Sequence, residues 1–300
     1  MVTRGMGRPV TYGFSIDVEE PGDAALLASA PGSTMLAEWE TDALLGTLAR
    51  YGRTATFFIV GNVAETYPGL VRRIAAAGHE VACHGERHVH LHDLGARRLA
   101  DGLGRTRRRL QDLSGQAVEG FRAPTWSLDR RSAWAVDVLL EAGFRYDSSV
   151  FPMRTPLYGE HAAPATPYRL VGEAGALIEL PPAVVRFGGL RLPAAGGIYW
   201  RVIPAHFMRP LLRRTQSPAV IYVHPWELDE GFRCPPGTAI DARLSMTFGR
   251  SRLARMLHQF LAETPVVTLG RLARCVRGPD YRLAPTGLVP VEPTRAEAPA

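Results

Sequence analysis

Lysine is missing from this chain of 300 residues, and all 35 basic side chains are arginine. An absence spread over the whole chain indicates coding bias rather than a functional device. The arginines are dispersed, apart from short clusters at residues 97–98 and 105–109 on a segment with a helical pattern. Such clusters are typical of a solvated helix face, so we expect no nucleic-acid partner despite the net charge of +6.

Cysteine is scarce, and Cys83, Cys234 and Cys275 are far apart and form no paired motif. This argues against a disulfide framework and is compatible with a reducing compartment. No run approaches the roughly 18 apolar residues of a membrane span, and residues 1–10 lack the apolar core of a signal peptide. We therefore expect a cytoplasmic protein without stable membrane insertion; the oligomeric state is left open.

Short apolar runs alternate with helical stretches along most of the chain. Strands are predicted at residues 10–16, 54–60, 78–82, 119–123, 144–147, 176–180, 219–223 and 266–269. Repeated strand–helix units of this spacing favour a parallel α/β architecture. A length of 300 residues accommodates a single α/β barrel.

We expect one domain over residues 10–277, preceded by a short arm over residues 1–9. A stretch rich in proline, glycine and alanine predicts a loop-rich excursion over residues 152–182, of the kind that often binds substrate or forms a lid. Residues 278–300 are proline-rich and polar, which predicts a disordered tail.

Imidazoles and carboxylates follow two of the predicted strands. His84 and His88 come after the run at 78–82, and Asp17, Glu19 and Glu20 end the first strand. In parallel β/α folds the chemistry lies at the carboxyl ends of the strands, so we expect these side chains to converge. Two histidines and one carboxylate, with a spare carboxylate beside them, form the ligand set of a hydrolytic zinc site with an open coordination position.

This ligand assignment has alternatives. Two further histidines, His90 and His92, follow closely and compete with the first pair, which we prefer because it lies nearest the strand end. Alternation along a strand points Asp17 and Glu19 to the same side and Glu20 to the other. Glu19 is therefore the preferred carboxylate ligand, with Glu20 as the alternative.

Five short motifs occur in order within residues 10–270: SIDVEE at 15–20, HGERH at 84–88, GFRAPTW at 120–126, YDSS at 146–149 and IYVHPWE at 221–227. In this order they resemble the polysaccharide deacetylases, the NodB-homology group or carbohydrate esterase family four. The first and last motifs resemble the branch associated with exopolysaccharide and exosortase loci. The resemblance implies a distorted (β/α)₇ barrel and a metal-dependent N-deacetylase.

The resemblance also implies a role for each matching residue. Asp17 matches the base that takes a proton from metal-bound water, and Arg122 matches the arginine that orients and charge-pairs this base. His224 matches the general acid that protonates the departing amine, and Asp147 matches the carboxylate that holds and charges this histidine.

The implied metal ligands are Glu19, His84 and His88, and the implied metal is Zn²⁺, with Co²⁺ as the alternative. Many family members have two adjacent aspartates where this chain has Asp-Val-Glu-Glu, so Glu19 departs from the pattern. Trp126 matches an aromatic residue that lines the substrate groove, although a core tryptophan explains it equally well. Trp226 is expected to shape the groove or to brace its loop.

The predicted function is metal-dependent hydrolysis of N-acetyl groups on amino sugars of a polysaccharide or its precursor, so the expected partner is an N-acetylated saccharide. One alternative is a hydrolase with the same site that acts on a different amide, such as a deformylase or another hydrolase of non-peptide amides. A second alternative is a catalytically silent carbohydrate-binding protein on the same barrel. The presence of a base, the metal ligands and an acid disfavours this last alternative.

Overall fold

A computed structural model describes residues 10–21, 37–155, 158–234 and 237–292. The strands are β1 (Tyr12–Val18), β2 (Thr56–Ile59), β3 (Glu80–Cys83), β4 (Gly120–Phe121), β5 (Tyr146–Asp147), β6 (Tyr168–Gly172), β7 (Gly175–Glu179), β8 (Val184–Phe187), β9 (Leu190–Pro193), β10 (Ala219–Val223), β11 (Val266–Val267), β12 (Asp280–Ala284) and β13 (Gly287–Pro290). The predicted arm at residues 1–9 lies outside the described residues.

The helices surround these strands. They are α1 (Ala37–Arg50), α2 (Gly61–Thr66), α3 (Pro68–Ala76), α4 (Leu91–Leu94), α5 (Ala96–Ser114), α6 (Ala135–Glu141), α7 (Ile198–Val202), α8 (Ala205–Leu212), α9 (Ile240–Thr247), α10 (Arg250–Glu263) and α11 (Leu269–Cys275). Short 3₁₀ turns cover Pro124–Trp126, Arg130–Ser132 and Pro225–Glu227. Within the described ranges, no helix is both long and apolar enough to cross a bilayer.

Parallel strands form the wall of a distorted barrel, in the order β10, β1, β2, β3, β4, β5 and β7. The wall is closed by the segment after β7. The Leu180 amide donates to the Asp147 carbonyl at 2.8 Å, and the Ala183 amide donates to the Val220 carbonyl of β10 at 2.9 Å. The predicted α/β class and distorted barrel are confirmed.

The central strands are rich in apolar residues because both of their faces are covered. Every residue of β1 and of β10 is buried, as expected for parallel strands with helices outside and side chains filling the barrel. The helical segment after β2 is divided into α2 and α3 at Tyr67. Pro68 starts α3, because a proline without an N–H group is tolerated in the first turn and not in a helix interior.

The sheet extends beyond the barrel through β6, β12 and β13, which were not among the predicted strands. β6 pairs antiparallel with β7, so the expected loop over residues 152–182 contains a hairpin. β12 then pairs parallel with β6, and β13 pairs antiparallel with β12.

The disorder predicted from residue 278 is therefore wrong for the β12–β13 hairpin; residues 293–300 lie outside the part of the chain described. Leu283 and Leu288 are buried, and Arg169 of β6 forms an ion pair with Asp280 at 2.7 Å. Burial of these two leucines anchors a segment whose overall composition is polar.

Candidate active site and metal centre

The carboxyl ends of the barrel strands meet at a pocket of about 140 Å³. Asp17 lies at the end of β1 and Glu19 follows it, while His84 follows β3 and His224 follows β10. The predicted site residues that line the pocket are Asp17, Glu19, His84, His88, Trp126, His224 and Trp226. Arg122 lies directly behind Asp17, and Asp147 does not reach His224.

Three side chains form a candidate metal centre, with mutually close ligand atoms from Glu19, His84 and His88. Glu19 Oε2 is 2.8 Å from His88 Nε2 and 3.7 Å from His84 Nε2. His84 Nδ1 is 2.8 Å from the Arg122 carbonyl oxygen, which can only accept a hydrogen bond. Nδ1 therefore carries the proton and Nε2 presents its lone pair to the pocket, as in most metal-binding histidines.

This donor set fits a divalent ion such as zinc, which binds imidazole nitrogen and carboxylate oxygen and keeps an open position in catalytic sites. Burial alone would raise the pKa of Glu19, but His88, His224 and His84 hold it well below its usual range. Glu19 is consequently ionised at neutral pH, as a metal ligand must be.

Glu20 points away from this centre, as strand alternation predicts. Its Oε1 accepts a hydrogen bond from the Tyr67 hydroxyl at 3.0 Å, and its Oε2 accepts one from the Ala37 amide at 3.3 Å. His90 and His92 belong to a separate group. The geometry thus favours the preferred ligand set over both alternatives.

Arg122 is completely buried and fixes Asp17 from behind. Its Nη1 donates to Asp17 Oδ1 at 2.6 Å, while Nε and Nη2 donate to the carbonyl and hydroxyl oxygens of Ser148 at 3.0 and 2.8 Å. The guanidinium also lies over the Phe58 ring, at 4.3 Å from its centroid. With Oδ1 occupied, Asp17 Oδ2 faces the pocket and lies 3.9 Å from His224 Nε2.

His224 takes its carboxylate partner from the turn that follows it. Its Nδ1 is 2.9 Å from Glu227 Oε2, which also accepts the His224 amide at 3.1 Å. The Arg201 guanidinium lies 3.1 Å from the other Glu227 oxygen. Burial opposes protonation of His224, but Glu19, Glu227 and Asp17 together raise its pKa to about 9. A cation held by Glu19 would offset part of this effect.

The expected contact between Asp147 and His224 is wrong. Asp147 Oδ1 accepts from the Ser149 hydroxyl at 2.6 Å, and Oδ2 accepts from the Ser149 amide at 3.0 Å. Its other carboxyl neighbour is Glu179 of β7, and burial raises the pKa of both groups. The Ser149 hydroxyl in turn accepts the Ala123 amide at 2.7 Å. Asp147 therefore braces the loop that carries Arg122.

The two tryptophans form walls of the pocket, since Trp126 is 6% and Trp226 is 5% exposed. Trp226 stacks on His224, with ring centroids 5.2 Å apart, and its Nε1 donates to Glu19 Oε1 at 3.2 Å. Trp126 packs against Tyr222 at 4.4 Å and has a left-handed backbone with φ of 47°. A non-glycine residue in this conformation indicates local strain at the pocket wall.

Sequence reasoning missed the roles of Glu227, Arg201 and the pocket tyrosines Tyr158 and Tyr222. A signal existed for Glu227: it lies three residues after His224 in a turn that begins with proline, the spacing at which a side chain reaches back to the turn's first residue. The sequence contains no comparable signal for Arg201, which lies on the short helix α7.

Fold and site together define an α/β-barrel protein with a candidate hydrolytic metal centre. Sequence comparison adds the family. Residues 35–146 match the family described as "Polysaccharide deacetylase", and residues 148–274 match a "Domain of unknown function (DUF3473)". The resemblance to the polysaccharide deacetylases is thus confirmed over residues 35–146. Asp17 and Glu19 precede both matched regions.

Curated relatives match part of this chain. It is 34% identical over 107 residues to a peptidoglycan deacetylase of Helicobacter pylori, covering 36% of each protein. It is 37% identical over 92 residues to a chitooligosaccharide deacetylase of Sinorhizobium fredii, covering 30% of this chain and 43% of the relative. The chain thus spans less than half the length of either relative.

A solved structure matches nearly the whole chain. It comes from Mycobacterium smegmatis and is described as a candidate polysaccharide deacetylase. The TM-score is 0.60 and the sequence identity 22%, with 92% of both chains covered. At this identity the likeness establishes the fold, which agrees with the barrel described above.

Proposed function

We propose that this protein hydrolyses the N-acetyl group of amino sugars in a polysaccharide or its precursor. The observation that carries the proposal is the convergence, in one pocket, of a base held by arginine, a ligand set of two histidines and a carboxylate, and a histidine held by a carboxylate. The relatives named above, which deacetylate peptidoglycan and chitooligosaccharides by their descriptions, support this choice of amide.

In the proposed reaction, water adds to the acetamide carbonyl and the carbon–nitrogen bond breaks, giving acetate and a free amine. Asp17 accepts the proton of the attacking water at Oδ2, since Oδ1 is held by Arg122. His224 donates a proton from Nε2 to the departing nitrogen, while Glu227 holds Nδ1 and stabilises the imidazolium.

Glu19, His84 and His88 would hold a divalent ion, for which we propose Zn²⁺. When bound, such an ion polarises a carbonyl oxygen and makes water a stronger nucleophile at neutral pH. The apolar walls from Trp126, Tyr158 and Tyr222 limit the access of bulk water to the reacting groups. The cytoplasmic location and the exopolysaccharide branch expected from the sequence stay predictions.

The test is acetate release from N-acetylglucosamine oligomers by protein that is stripped of metal and reloaded with Zn²⁺ or Co²⁺. We expect metal-dependent release that disappears in Asp17→Asn and persists in Asp101→Asn, a matched change at an exposed aspartate. Metal binding without acetate release would overturn the deacetylase proposal in favour of another amide. Failure to bind metal at all would overturn it in favour of a silent carbohydrate-binding protein.

A further inference from the structure

A second group of metal-ligating side chains lies where the loop after His88 enters α4. It consists of His90, His92 and Asp93, whose ligand atoms all lie within 4.8 Å of one another. His90 Nδ1 is 3.8 Å from Asp93 Oδ2, and His92 Nε2 is 3.7 Å from Asp93 Oδ1. None of the three lines the pocket of the candidate active site.

We propose that His90, His92 and Asp93 form a second binding site for a divalent cation of the zinc type. Imidazole with carboxylate suits zinc and its neighbours among the transition metals rather than Mg²⁺ or Ca²⁺, which take oxygen ligands. Two ligand atoms about 2.1 Å from one zinc ion are about 3.4 Å apart in tetrahedral geometry. The two histidine–aspartate distances exceed this spacing by only a few tenths of an ångström, so small side-chain rotations would bring these ligands to one ion.

The side chains can complete this arrangement without disturbing the fold. Asp93 is 60% exposed and can rotate towards a cation. His92 Nδ1 is buried and has no hydrogen-bond partner, so no other group fixes this ring through that nitrogen. Arg131, a cation that interacts electrostatically with Asp93, is already paired with Asp129 at 2.6 Å.

Hydrogen bonds connect the backbone of the cluster to the turn that borders the active site. Leu91 is buried, and its amide donates to the Ser127 hydroxyl oxygen at 3.1 Å. That hydroxyl donates to the Pro124 carbonyl at 2.7 Å, in the turn that carries Trp126. A cation at the cluster would therefore hold the short segment between His88 and α4 in place. The proposed role of the second site is thus to stabilise the structure and not to take part in the reaction.

The experiment counts zinc ions per chain on tag-free protein, by equilibrium dialysis against Zn²⁺ followed by elemental analysis. We expect two ions for the wild type, one for His90→Ala/His92→Ala, and two for the matched control His161→Ala/His206→Ala. Disruption of the first site by Glu19→Gln/His84→Ala should also leave one ion. Circular dichroism confirms that each variant is folded.

A His90→Ala/His92→Ala variant that binds as many zinc ions as the wild type would overturn the second site. A wild type that binds one ion, lost only in Glu19→Gln/His84→Ala, would overturn it as well. Acetate release is not part of this readout, so failure of the proposed deacetylase activity and failure of the second site are distinguishable.

Discussion

Of the three histidines that face Glu19, His84 and His224 differ in the group that holds their second ring nitrogen. The Nδ1 atom of His84 meets a backbone carbonyl, whereas Nδ1 of His224 meets the Glu227 carboxylate. A backbone carbonyl accepts the Nδ1 proton and so directs Nε2 towards the pocket, which suits a metal ligand. A carboxylate also stabilises the imidazolium, which suits a group that delivers a proton.

At the residue scale, Glu227→Gln tests this division of roles. The amide keeps the shape of the side chain but loses the charge that favours protonated His224, so we expect kcat for acetate release to fall by about 10- to 100-fold. The amount of zinc bound should not change, because Glu227 is not part of the metal centre. Steady-state kinetics and metal analysis of the same preparation measure both quantities.

Asp147→Asn is the matched control for this change. Asp147 contacts Ser149 and Glu179 rather than His224, so the amide should weaken the bracing at Ser149 but lower kcat less than Glu227→Gln does. If Asp147→Asn lowered kcat more than Glu227→Gln, Asp147 rather than Glu227 would be the functional partner of His224.

Arg122 supports a second residue-scale prediction, which concerns stability. Arg122→Ala removes the cation beside a buried Asp17 and should lower the free energy of unfolding by about 3–5 kcal/mol. Adding Asp17→Asn should recover part of the loss, because the unpaired charge is then gone. Urea denaturation of the single and double variants, with exposed Arg145→Ala as the control, measures the difference. Equal stability of Arg122→Ala and Arg145→Ala would contradict it.

At the scale of elements, the junction between α9 and α10 positions Arg201, and Gly249 is the residue that permits it. Gly249 has φ of 74°, and a Cβ atom there would lie 2.3 Å from the Arg201 carbonyl oxygen. Gly249→Ala should therefore displace α7 and weaken the contact between Arg201 and Glu227.

Gly188 offers a matched control, since its φ is 59° and nothing lies within 4 Å of an added Cβ. Gly188→Ala should cost about 1 kcal/mol from backbone strain alone. Gly249→Ala should cost more in thermal unfolding and should also lower kcat, through displacement of Arg201. Similar effects of the two substitutions on thermal unfolding and on kcat would show that the close approach of Gly249 to Arg201 contributes to neither stability nor activity.

At the scale of the whole molecule, the sequence predicts the barrel far better than its edges. The buried strands are easily predicted because they are apolar runs between helical stretches, as in β10. The β8–β9 and β12–β13 hairpins are short and partly exposed, so their apolar pattern is weak.

For the site as well, the sequence predicts the residues at the ends of the buried strands better than the contacts made by the turns that follow them. Motif order identifies which strand end carries a residue, and the structure places Asp17, Arg122 and His224 at or just after the ends of β1, β4 and β10. It does not identify which of two nearby carboxylates reaches a given imidazole. The family resemblance implies Asp147 as the partner of His224, whereas the contact is made by Glu227 and depends on the turn after β10 and on Arg201 from another helix.

A last prediction concerns the pH dependence of global stability and rests on Glu40. This residue of α1 is buried, and burial, with help from Asp229, raises its pKa from 4.5 to about 8. Between these values the folded chain holds a proton that the unfolded chain has released. The contribution of Glu40 to the free energy of unfolding therefore falls as pH rises from 4.5 to 8, by an amount on the order of a few kcal/mol.

Urea denaturation at pH 6.5 and pH 8 measures this effect in the upper part of that window. The wild type should lose stability between the two values, and Glu40→Gln should lose markedly less, because its side chain cannot release a proton. Glu38→Gln, on the same helix but not buried, should follow the wild type. A decline of the same size in Glu40→Gln would assign the pH dependence to other groups and would mean that Glu40 ionises normally in the folded chain.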